Sequence, residues 1–140
     1  MSSRIAAATV AIAAILVCPP ANAEIRHYKA DLTGSAESPS VNTPATGTVD
    51  VNYDTATKTL SWKADYRDLQ GVFSAAHFHG PAKTGENAPA LVNVTDNVKA
   101  GSASLTDEQA ADLEAGLWYF NIHSEQYPEG EIRGQVLRMQ

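Results

Sequence analysis

Several short runs of this chain set apolar side chains on alternate positions. From Thr48, "TVDVNYD" places Val49, Val51 and Tyr53 on one face and Asp50 and Asn52 on the other, and "LSWKADY" repeats the pattern with Leu60, Trp62, Ala64 and Tyr66. A period of two is that of an extended strand with one buried face, and the intervening "DTATK" supplies a short turn, so the two runs predict a hairpin. "IRHYKADLTG" alternates in part and predicts a first strand that ends where Gly34 permits a turn. Further strands are predicted from near Phe73 to Gly80-Pro81, in "PALVNVT" from Pro89, in "WYFNIHS" from Trp118 and in "GEIRGQVLRM" from Gly130. The segment "SAESPSVNTPATG", residues 35–47, has almost no large apolar side chain and reads as an ordered loop or edge segment, a solvated connection in preference to a specificity loop.

Only "TDEQAADLEAGLW" carries helix signals. Thr106 can cap, Gln109 stands three residues later to complete a capping box, Asp107 and Glu108 suit the positive end, and Gly116 can stop the helix. The spacing predicts about two turns over Asp107 to Ala115. Many short strands with one small helix predict an all-β fold, an antiparallel, Greek-key-like β-sandwich of seven or eight strands, because each sheet needs an opposing apolar face.

The chain begins "MSSRIAAATVAIAAILVCPPANAE". Arg4 precedes an apolar run from Ile5 to Val17, and small Ala21 and Ala23 flank Asn22, the layout of a cleaved secretory signal. The run is shorter than the roughly 20 residues of a membrane span. The expected organisation is a signal at residues 1–23 and one domain at 24–140, in a periplasmic or secreted protein. The single cysteine, Cys18, lies in the leader, so the exported domain has no disulfide. Losing Arg4 removes one cation and no acid, leaving nine Lys and Arg against sixteen Asp and Glu, a formal charge of −7. That balance argues against nucleic acid as a partner.

The chemistry concentrates in the four histidines. "AHFHGPA" sets His77 and His79 two residues apart, so on a strand both side chains leave one face, with Cα atoms about 6–7 Å apart, while Phe78 packs behind. In "YFNIHSEQYPEGE", Tyr119, Asn121 and His123 share one face, and Phe120 and Ile122 the other. If the two strands are neighbours, three imidazoles meet, a donor set that suits copper, with zinc as second choice, better than calcium or magnesium. His27 becomes the fourth residue after cleavage, outside the first and third positions that amino-terminal copper motifs use. Glu131 and Arg133 share a strand face, where Arg133 can steer an anion or tie the last strand to a neighbour. No nucleophile elbow, phosphate loop or cysteine nucleophile is present, so no catalytic residue is assigned.

Taken together, "LTGSAESPSV", "AAHFHGPA" and "GLWYFNIHSEQYPEGEIRGQV" resemble the CHRD domain, a family named after chordin and frequent in secreted bacterial proteins, over about Tyr28 to Val136. That resemblance implies an extracellular module. The H-x-H strand and the later histidine also look like part of the copper site of copper/zinc superoxide dismutase, onto which His77, His79 and His123 map. A fourth copper histidine and a zinc set are missing here. Two functions follow as expectations: an exported histidine-based metal-binding protein, with copper preferred and redox activity as one option, or a metal-independent extracellular or periplasmic module that binds another exported protein.

Overall fold

The structure is a computed structural model, and it describes residues 22–140. The expected leader lies, but for its last two residues, outside the described residues, and Cys18 with it. Among the described residues no helix is long and apolar enough to cross a membrane.

The first strand, β1 (Ile25–Thr33), runs antiparallel to β2 (Thr46–Asp54), which turns into β3 (Thr59–Arg67) in the register Thr46↔Arg67 to Asp54↔Thr59. This is the predicted hairpin. Val49, Val51, Leu60 and Trp62 are buried, and Asp50, Asn52 and Lys63 are exposed. The chain continues through β4 (Phe73–His79), β5 (Ala90–Asn93), β6 (Ala100–Ser104), α1 (Asp107–Glu114), β7 (Tyr119–Ser124), β8 (Ile132–Gln135) and β9 (Leu137–Arg138). The capping box forms as read: Gln109 N–H donates to Thr106 Oγ1, and Thr106 N–H donates to Gln109 Oε1.

The strands make one antiparallel sheet in the order β5-β4-β7-β8-β1-β2-β3-β6, with β9 also paired to β1. The sheet curls on itself into a nearly closed, sandwich-like body, so that its two halves share one core. Phe78 of β4 meets Trp62 of β3 edge-on, with centroids 5.6 Å apart, and packs on Phe120 and Trp118 at 4.8 and 5.8 Å. Edge-to-face aromatic pairs of this kind contribute about 0.5–1.5 kcal/mol each beyond burial.

The sheet holds nine strands where seven or eight were expected. β6 was not expected, since "AGSAS" has no large apolar residue to mark a face. The 35–47 segment is an ordered loop, as read: Val41 N–H donates to the Gly34 carbonyl at 2.8 Å, and Glu37 turns inward from it.

Candidate metal centre

β4 and β7 are antiparallel neighbours with His77 opposite Asn121, Phe78 opposite Phe120, His79 opposite Tyr119 and Ala75 opposite His123. Alternation sends Ala76, Phe78, Phe120 and Ile122 into the core, where none has measurable exposure. Rotating either strand to withdraw a histidine would drag that apolar row into water, at roughly 1.5–3 kcal/mol for each large side chain. The opposite face therefore carries His77, His79, Tyr119, Asn121 and His123 as a fixed group.

His77, His79 and His123 each bring one ring nitrogen to within 4.8 Å of the others. Nitrogens bound to one ion at about 2.0–2.1 Å stand roughly 3–4 Å apart, so the widest pair needs to close by about 1 Å. Hydrogen bonds fix two of the rings. A carbonyl oxygen only accepts, so the 2.9 Å contacts of His79 Nδ1 with the Ala88 carbonyl and of His123 Nδ1 with the Pro128 carbonyl place the hydrogen on Nδ1 in both. In the neutral rings Nε2 is then a bare lone pair. Both Nε2 atoms lie 3.0 Å from Asn121 Oδ1, and His123 Nε2 is also 3.2 Å from His77 Nδ1.

Burial holds the His77 and His79 rings below the ordinary imidazole range. The neighbouring rings add to this for His77, and the Ala88 carbonyl and Asn121 partly oppose it for His79. Both are neutral at pH 7, the form that binds a metal.

A second layer supports the cluster. Tyr119 stacks on His79 at 4.7 Å and 3°, and the Arg133 guanidinium lies 3.5 Å from the centre of the same ring. The Ala88 carbonyl accepts from both the Tyr119 hydroxyl, at 3.2 Å, and the His79 ring. Glu37 has an oxygen buried without a hydrogen-bond partner. Burial raises its carboxyl to about 7 against the opposing pull of Arg133, the Asn121 amide and the Ser38 backbone. At Gly130, φ is +126° and an added Cβ would come within 2.6 Å of Glu37 Oε1 and 3.0 Å of Asn121 Nδ2, so only glycine lets the carboxyl and amide sit there.

The other sequence-derived residues go elsewhere. Glu131 and Arg133 do not pair. Glu131 is fully buried and accepts from Thr43 Oγ1 at 2.6 Å and from Gln70 N–H at 2.8 Å, tying two loops to the sheet. Arg133, 2% exposed, donates to Asn87 Oδ1 at 2.8 Å and to the Glu86 carbonyl, so it ties the 80–89 loop to β8 and presents no open cation to an approaching anion. His27 lies on β1, outside the cluster. Asn121 was legible as a same-face neighbour of His123, although its contact with two rings was not. Glu37 gave no signal, being one acid in a polar segment.

Among known proteins, neither a curated protein nor a solved structure matches the chain. The family model described as CHRD domain matches residues 28–136, which spans every strand from β2 to β8, the three histidines, Glu37, Asn121 and Arg133. The chain belongs to the CHRD domain family.

Proposed function

We propose that this is an exported metal-binding domain that holds copper through His77 Nδ1, His79 Nε2 and His123 Nε2. The observation that carries the reading is a proton count. His77 Nδ1, His79 Nε2, His123 Nε2 and Asn121 Oδ1 make three contacts of 3.0–3.2 Å, yet only His77 can bring a hydrogen to them. Lone pairs this close repel unless a proton or a cation lies among them, and burial of His77 and His79 disfavours a proton on either of those rings. One cation answers all four atoms. Turning the Asn121 amide over would answer the two rings in the metal-free protein, but it would set the amide oxygen against Glu37, which then has to hold a proton.

Copper is preferred because three neutral imidazoles and no thiolate suit Cu(II) or Cu(I) and leave a coordination position open; zinc fits the same nitrogens. Copper bound there would supply one-electron chemistry, so superoxide decay is the first reaction to assay. The chain's own part is to orient the His79 and His123 rings through the Ala88 and Pro128 carbonyls and to keep His77 and His79 neutral by burial. Export follows from the leader pattern and accords with the extracellular role that the family resemblance implies.

The test is metal analysis of protein taken from its native compartment, followed by copper titration against a competing chelator for wild type and the His77/His79/His123 triple alanine variant. One tight equivalent of Cu(II) is expected in wild type alone. Equal, weak uptake by both removes the metal reading and leaves the histidines as hydrogen-bonded closures of a protein-interaction module.

A further inference from the structure

The fourth histidine has a soft partner that the chain order conceals. β9 pairs with β1 in the register Tyr28↔Arg138 and Lys29↔Leu137, and Met139 N–H donates to the His27 carbonyl at 2.9 Å, which carries the register on to His27↔Met139. Directly opposed residues point their side chains to the same face with Cβ atoms about 4.5–5.5 Å apart. On the other flank of β1, His27 faces Asn52, and its Nδ1 lies 2.6 Å from Asn52 Oδ1. With the amide oxygen toward the ring, Nδ1 carries the hydrogen, which leaves Nε2 as the acceptor atom of the residue that opposes Met139 across the strand pair. Both side chains are exposed and line one groove of about 510 Å³, together with Asn52 and Ile25. The acids at its rim are Glu24, engaged by Arg26 and Arg138, and the exposed Asp50.

We infer that His27 Nε2 and Met139 Sδ form a second metal site, selective for a soft monovalent ion such as Cu(I). A thioether selects Cu(I) over zinc, calcium or magnesium, and imidazole accepts it as well. The site is independent of the three-histidine centre: it lies on a different strand pair, and its assignment uses none of that centre's residues.

Ag(I), a redox-inert ion of the same charge and softness, is the probe. The protein, labelled at methionine methyl carbons, is titrated and followed by NMR. The chain has two methionines, Met1 and Met139, and Met139→Leu identifies the second signal. The Met139 methyl and His27 ring signals are expected to move together and to saturate by the second equivalent, while zinc moves neither. His27→Ala, at an exposed position, is expected to raise the half-saturation concentration by about tenfold or more. A Met139 methyl that stays in place through two equivalents overturns the inference, as does an identical titration in His27→Ala.

Discussion

Burial of the Glu37 carboxyl outweighs the compensation from the Arg133 charge, the Asn121 amide and the Ser38 backbone, so its proton leaves at about pH 7 instead of in the usual carboxylate range. The unfolded chain loses that proton near the ordinary value of 4.5 and the folded chain at about 7, so between them the folded state binds more protons. Its stabilising contribution is complete below 4.5 and is lost as pH rises through 7. His77 and His79 act in the opposite direction, their contribution being present above the ordinary imidazole value and lost as pH falls below it. Subtracting the profile of Glu37→Gln isolates the carboxyl. In chelator-treated protein, wild type is expected to lose about 2 kcal/mol against the variant between pH 5 and pH 8, less than the full shift implies because the carboxyl keeps some solvent contact. Parallel denaturant profiles would contradict this. Asn121 is the second residue with a measurable part: Asn121→Leu keeps the volume and removes the amide between His79 and His123, and copper affinity is expected to fall by about tenfold to a hundredfold. Unchanged affinity would show that the rings are held by Ala88 and Pro128 alone.

Between β7 and β8 the turn 125–131 supplies both the Pro128 carbonyl that orients His123 and the Gly130 backbone that admits Glu37. Gly130→Ala would place a Cβ at φ +126° against Glu37 Oε1, and its expected cost is about 1–3 kcal/mol with weakened copper binding, checked by urea denaturation and titration. If only stability changed, the turn would be separable from the site. Elements of this protein were legible where burial is one-sided. The β2–β3 hairpin, the H-x-H strand and the capped helix announce themselves through alternation or capping residues. β6 does not, because an edge strand of Ala, Gly and Ser packs by being small: a Cβ on Gly101 would come within 2.5 Å of Trp62 Cζ2. That requirement belongs to Trp62, on another strand, and to Asn97 in the preceding turn, and hydrophobic alternation along β6 reports neither.

At the scale of the whole molecule, the curled sheet uses one face of β4 and β7 to build the core and the other to assemble three imidazoles. The histidine cluster was therefore legible once the two strands were taken as neighbours. The fate of Arg133 and Glu131 was not legible, since their partners Asn87, Glu86, Thr43 and Gln70 come from loops distant in sequence. The central claim is that the cluster binds an ion through imidazole nitrogens oriented by the fold. It is tested most directly by continuous-wave and pulsed electron paramagnetic resonance of protein loaded with one equivalent of Cu(II). The account predicts a single species with three imidazole nitrogens coordinated, absent from the His77/His79/His123 alanine variant. A spectrum shared by both proteins, or one with fewer than two imidazoles in wild type, would contradict it.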